Sequence, residues 1–398
     1  MNLHKISRKT KSAIVSVSMS AAMILGLSSC SLDYVVGYVY MTTAKSSPGV
    51  INQYSIDFQS GALTTIGTPI AAGNNPVRIV SAPNGKFVYV VNQGDNNVQL
   101  FAVQADGTLV SKGTYATGTH PTAIAIDPQG AFLYVTFSYQ TGTTGTGGVS
   151  IFKVGSDNTL TAAGTQLVGV NPVGVSVSNF NHFVYVLDQE PITPQILGFA
   201  QNTSSGALTT VPGTTVTPGV AGKTVATGYP AGVVPSAIAE ELTARFVYVT
   251  DQAANQLIGY TVNPNGSLVP MINGPFAAGL FPINLTIDPT GKLIYVVNFN
   301  AETVQGYMID LATGTPSGAV GAFATKVGSG PTCVAIDPAL GTNLYTSDSS
   351  GNTISAEKVN PNTGALQGVQ NSPFLGSGNP TCLAIVPNGA HASQIITP

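Results

Sequence analysis

His120-Pro121-Thr122-Ala123-Ile124-Ala125-Ile126-Asp127-Pro128-Gln129-Gly130-Ala131-Phe132-Leu133-Tyr134-Val135 is the stretch that decides the fold. Two short apolar runs flank an Asp-Pro-Gln-Gly turn. Pro128 and Gly130 suit the second and fourth positions of a tight reversal, and the Asp127 carboxylate can bond the turn backbone. Ile124 and Ile126 before the turn, with Phe132, Tyr134 and Val135 after it, are strand formers. The stretch reads as a β-hairpin, and it recurs.

A proline opens the unit at Pro76, Pro121, Pro172, Pro235, Pro282, Pro331 and Pro380. A tyrosine anchors a second strand at Tyr40, Tyr89, Tyr134, Tyr185, Tyr248, Tyr295 and Tyr345. A third marker, a turn followed by Leu, stands at Gly61-Ala62-Leu63, Gly107-Thr108-Leu109, Asn158-Thr159-Leu160, Gly206-Ala207-Leu208, Gly266-Ser267-Leu268 and Gly364-Ala365-Leu366. Its remaining copy, Gly314-Thr315-Pro316, has Pro in place of Leu. Each series has seven members, and four short strands per repeat is the pattern of propeller blades. The first repeat lacks its Pro-led strand and the last has nothing else, so the two ends make one blade. The expected fold is therefore all-β: a seven-bladed β-propeller of four-stranded blades, its ring closed by the C-terminal inner strand completing the N-terminal blade.

Composition agrees. Of 398 residues only 8% are charged and 43% are hydrophobic, with 45 glycines and no tryptophan, which suits an all-β chain with polar turns and an ample core. Residues 1–29 read as a secretory signal: Lys5, Arg8, Lys9 and Lys11 precede an apolar run too short for a comfortable membrane span. The run ends Leu27-Ser28-Ser29-Cys30, which resembles the lipobox of bacterial lipoproteins; that resemblance implies cleavage before Cys30 and lipid on its thiol. Residues 30–33 would be a tether, roughly 10–15 Å long, to a propeller over 34–387, with a tail over 388–398. Cleavage removes four basic residues and no acidic one, so fourteen positive charges fall to ten against seventeen negative. That balance argues against nucleic acid as a partner.

Phe87-Val88-Tyr89-Val90-Val91-Asn92, Ile124-Ala125-Ile126-Asp127-Pro128-Gln129-Gly130 and Gly206-Ala207-Leu208-Thr209 resemble the lactonase-type seven-bladed propellers, a group of 6-phosphogluconolactonase-like proteins that merges with the YVTN-repeat propellers. The resemblance spans nearly all of the chain after residue 33. It implies the fold strongly and activity weakly, because its motifs are turns and strand anchors. The enzymes of that group carry an Arg-His pair after a repeat proline. No such pair follows any of the seven prolines here, so no catalytic residue carries across.

Ligands of propellers usually bind the face where the loops enter the inner strands. Two residues past the repeat prolines stand Arg78, Ala123, Gly174, Ala237, Asn284, Cys333 and Cys382, of which Arg78 and Asn284 are the polar exceptions. His120 stands alone among the residues that precede those prolines. Asp188, Asp251 and Asp348, with Asn92 and Asn298, follow the tyrosine strands on the same face, where they either meet a ligand or bond turn backbone. Asp127, Asp288 and Asp337 belong to turns on the opposite face and read as turn caps. Glu240 replaces an Ile of its sibling hairpins and is expected at an exposed strand end. Cys333 and Cys382 occupy equivalent positions in neighbouring blades; export would permit a disulfide, and two packed free thiols are the preferred alternative. The histidines at 120, 182 and 391 are too scattered for a metal site, and no cofactor is implied.

Two long loops, residues 139–148 and the Pro/Gly/Thr-rich stretch 211–234, invite recognition. The resulting expectation is a monomeric, envelope-anchored module that binds a protein, glycan or small molecule. The alternative is a lactone hydrolase using a constellation such as Arg78, His120 and one of the three aspartates.

Overall fold

The computed structural model describes residues 34–140, 145–218, 224–318 and 324–389. The signal segment, Cys30, its tether and most of the tail lie outside the described residues. Seven antiparallel sheets account for the seven repeats. Blade one runs from its inner strand Pro76–Ser81 through Phe87–Asn92 and Asn97–Val103 to Leu109–Ala116. Blades two to six begin at Thr119–Ile126, Pro172–Val177, Pro235–Glu240, Pro282–Ile287 and Pro331–Ile336. Blade seven is composite, as the phase of the ends predicts. Its inner strand, Pro380–Pro387, pairs with Val35–Thr43 in the register Tyr40 to Ala384, and Val50–Asp57 and Leu63–Thr65 follow outward. From blade three to blade seven the outermost strand is broken, and a second short piece pairs with the third strand.

The second strands, such as Phe183–Asp188, are buried on both faces, which explains their unbroken apolar runs. In blade one Val88 and Val90 pack against Tyr38 and Tyr40 of blade seven, whereas Tyr89 and Val91 pack against Leu133 and Val135 of blade two. The apolar core is accordingly divided into seven clusters, each lying between two adjacent blades.

The tyrosine and Gly-turn markers turn out to be two halves of one joint. Each tyrosine hydroxyl donates to the marker carbonyl of the next blade: Tyr40 to Gly107, Tyr89 to Asn158, Tyr134 to Gly206, Tyr185 to Gly266, Tyr248 to Gly314, Tyr295 to Gly364, and Tyr345 to Gly61. The distances run from 2.5 to 3.0 Å. The last of these closes the ring across 284 residues of sequence. All seven tyrosines are fully buried, so each hydroxyl needs that partner.

Asp127 accepts from the backbone N–H groups of Ala131 and Phe132 at 2.7 and 3.0 Å, and Asp288 and Asp337 cap their turns in the same way. The preference for free thiols is overturned: the Cys333 and Cys382 sulfurs are bonded at 2.03 Å. Their Cα atoms lie 4.9 Å apart, inside the range a disulfide spans. The bond joins the inner strand of blade six to the closing strand. Glu240 is likewise not an exposed strand end. It is buried, and burial pushes its pKa well up, with the Ser178 hydroxyl opposing and Glu241 adding to the shift. The stretch after residue 210 forms a separate hairpin, Thr215–Pro218 with Thr224–Thr227, inserted between the two outer pieces of blade three. It lines no part of the cavity described next.

Candidate functional site

At the start of every inner strand the register slips by one residue, between Pro76 and Arg78 in blade one and at the equivalent place in the other six. Such a bulge re-aims a side chain. Here it puts the residue directly after each proline on the mouth of the central channel: Val77, Thr122, Val173, Ser236, Ile283, Thr332 and Thr381. Gln93, Gln189, Gln252 and Ser349, from the loops after the tyrosine strands, complete the wall with Arg78 and Asn379. The cavity holds about 440 Å³. The wall is thus built one residue past each proline rather than two, and of the residues at the second position only Arg78 reaches it. The signal was the series Val, Thr, Val, Ser, Ile, Thr, Thr, which alternates small hydroxyls with aliphatics.

Most of these polar groups are occupied in holding the ring together. The carbonyl of a blade's proline accepts a hydrogen bond from the blade before it. Thr122 serves Pro172 at 2.6 Å, Ser236 serves Pro282 at 2.7 Å, Thr332 serves Pro380 at 3.4 Å and Thr381 serves Pro76 at 2.6 Å. Where the residue after the proline is Val, a glutamine takes over: Gln93 donates to Pro121 and Gln189 to Pro235, at 3.1 and 2.9 Å. Gln252 has no such duty, because Ser236 already serves its joint, and its amide lines the mouth without a hydrogen-bond partner.

Arg78 is the one charged side chain on the wall of the described cavity. Its Nη1 donates to the Val77 carbonyl at 3.2 Å, and among the described residues no carboxylate lies within ion-pair distance. Burial pulls its pKa down from the usual arginine value. A guanidinium stays protonated regardless, so Arg78 brings an unneutralised positive charge to the mouth.

The other expected site residues do not join it. Asp188 is buried and accepts from the backbone N–H groups of Val170 and Asn171 at 3.3 and 2.8 Å; burial raises its pKa. Asp251 holds Val233 and Val234 in the same way, at 2.7 and 3.0 Å. Asp348 accepts hydroxyls of Thr346, Thr353 and Ser355 at 2.7, 3.0 and 2.7 Å, and burial lifts its pKa to about 6. These three are structural braces beneath the rim. A glycine three residues before the proline makes room for each, since a Cβ at Gly169 would stand 1.8 Å from an Asp188 oxygen. Asn284 accepts weakly from the Val334 N–H at 3.4 Å and does not line the mouth.

His120 occupies a left-handed position, φ 59°, shared by Asn75, Phe281 and Asn379 before their own prolines. Its backbone N–H is held by Asn96 at 2.7 Å, and its exposed ring stands 6.5 Å from that of Tyr139. The grouping of Arg78, His120 and an aspartate therefore does not form. Among the described residues no three His, Cys, Asp or Glu side chains gather closely enough to hold a metal ion.

Known proteins place this architecture. The chain is 21% identical over 283 residues to the 6-phosphogluconolactonase of Bacillus subtilis, covering 69% of this chain and 78% of that protein. It is 28% identical over 164 residues to the 6-phosphogluconolactonase of Pectobacterium carotovorum, covering 39% of this chain and 46% of the relative. Among solved structures, a candidate 6-phosphogluconolactonase from Bacteroides uniformis superposes with a TM-score of 0.72 at 18% identity, over 89% of this chain and 100% of its own. The periplasmic gluconolactonase of Pseudomonas aeruginosa gives 0.69 at 18% identity, over 88% and 99%. At those identities the structural likeness speaks for the fold. The family model "Lactonase, 7-bladed beta-propeller" matches residues 51–146 and 192–336. With more than half of its length matched, this chain belongs to the lactonase family of seven-bladed β-propellers.

Proposed function

We propose that the protein opens lactones at the channel mouth, with Arg78 as the group that meets the substrate carbonyl. The observation that carries this reading is the unpaired Arg78 guanidinium in a cavity of ligand size. Water attacks the ring carbonyl carbon, the acyl C–O bond breaks, and the ring oxygen takes a proton to leave a hydroxy acid. Negative charge gathers on the carbonyl oxygen in the transition state, where fixed N–H donors in a confined site act best. Among the described residues no histidine or carboxylate lines the mouth, so this reading assigns no side-chain base to the attacking water. The kinship with lactonases favours this hydrolase over the module expected to bind a protein or glycan, and the product acid would remain a natural ligand of Arg78. The signal segment supports an exported protein held to a bacterial membrane by lipid on Cys30. The full chain should open glucono-δ-lactone faster than buffer does, and His120→Ala should leave that rate unchanged within about twofold. A rate equal to the spontaneous one would sink the proposal.

A further inference from the structure

The rim of the mouth is chemically lopsided. Two residues ahead of the repeat proline, blades three, four and five carry Val170, Val233 and Leu280, which are 50%, 62% and 58% exposed. The other four blades have Asn, Thr, Ser or Gly there. Each aliphatic side chain stands three residues before a residue of the cavity wall, and two of those wall residues, Val173 and Ile283, are aliphatic as well. Ile192, in the loop after Asp188, is 86% exposed in the same sector.

These side chains are not on slack loops. The N–H of Val170 is held by Asp188, that of Val233 by Asp251, and that of Phe281, next to Leu280, by Asn255 at 2.7 Å. The backbone beneath this exposed apolar arc on three consecutive blades is thus fixed by polar braces. Exposed aliphatic side chains at the equivalent position of three consecutive blades mark a binding surface more often than a scattered residue does. Arg78 belongs to blade one, across the ring from blades four and five, so the cation and the arc face each other over the mouth.

We propose that the mouth selects amphipathic lactones and their acids: the oxygen-rich head meets Arg78, and an aliphatic chain lies on the arc of Val170, Val233 and Leu280. The inference rests on the lactone reading for the head and goes beyond it for the tail. A polyol would gain nothing from the arc, which offers its hydroxyls no partner, whereas each methylene laid on it leaves water.

Calorimetric titration of the full chain with octanoate and with gluconate tests this. Octanoate should bind about tenfold more tightly, a margin that partial burial of a few methylenes supplies. Val233→Ser with Leu280→Ser should erase the margin and leave gluconate binding unchanged; both positions are exposed, and an unaltered melting curve checks the fold. Arg78→Gln should weaken both ligands. Gluconate binding as tightly as octanoate, or octanoate binding untouched by the double variant, overturns the tail. Octanoate binding indifferent to Arg78→Gln, with neutral lipid vesicles captured through Leu280, also overturns it, in favour of a membrane-docking rim. Opening of glucono-δ-lactone by the same samples judges the catalytic reading separately.

Discussion

Two residue types bear the repeat's energetics. Tyr295 exchanges a water-bonded hydroxyl for the Gly364 carbonyl of the next blade at 3.0 Å, in a site closed to solvent. Tyr295→Phe keeps the ring and leaves that carbonyl without the donor, a loss of about 1–2 kcal/mol that a shifted urea midpoint will register. The marker glycine is needed for two reasons at once. Gly206 has φ 75°, and a Cβ there would stand 2.5 Å from the Phe132 ring, two residues ahead of Tyr134. Gly206→Ala should therefore cost about 1–3 kcal/mol, whereas Gly318→Ala, where a Cβ meets nothing within 4 Å, should be neutral by the same measurement. The sequence displays both residue types as periodic markers. It does not display their pairing, because the partners lie 66 to 81 residues apart in six blades and 284 apart in the seventh, and meet only when two blades stack.

At the scale of the strand, apolar runs, Asp-Pro turns and repeat phase were legible because each is local chemistry. What was not legible was which polar residues face inward. Asp188, Asp251 and Asp348 look like a ring of ligand-binding carboxylates until the bulge at each inner strand turns the neighbouring residue to the channel and leaves the aspartates beneath the rim. Glu240 was misread for a related reason: a charged residue at a strand end is ordinarily solvated, and only the neighbouring blades bury it. Blade six shows a measurable consequence. Burial lifts Asp348 to about 6, and burial together with the Asp348 charge lifts Glu357 to about 7. A buried acid whose folded pKa is raised binds its proton more tightly folded than unfolded, so stability falls as pH rises from the ordinary value, 3.8 for the aspartate and 4.5 for the glutamate, to the folded one. The melting temperature should decline between about pH 4.5 and 7. Glu240 and Asp188, also raised by burial, add to the decline, so Glu357→Gln should remove only its own share of it; a slope that the substitution leaves unchanged contradicts the assignment.

At the scale of the molecule, the ring is closed three times over in one sector. Strand Pro380–Pro387 pairs with Val35–Thr43, Tyr345 reaches Gly61, and the Cys333–Cys382 disulfide ties the closing strand to blade six. Closure fixes the seven inner strands around one channel, and that geometry isolates Arg78, one of three arginines in the chain, among neutral neighbours. The repeat supplies the architecture, and departures from it supply the chemistry: an Arg where siblings are mostly small, and three aliphatic residues on the rim. The most direct test is the kcat/KM for glucono-δ-lactone of the wild-type chain against Arg78→Gln, with the melting temperature followed alongside. Loss of the principal oxyanion donor should reduce kcat/KM by about 100-fold or more with little change in melting temperature. An Arg78→Gln protein that is folded and as active as wild type would contradict the account.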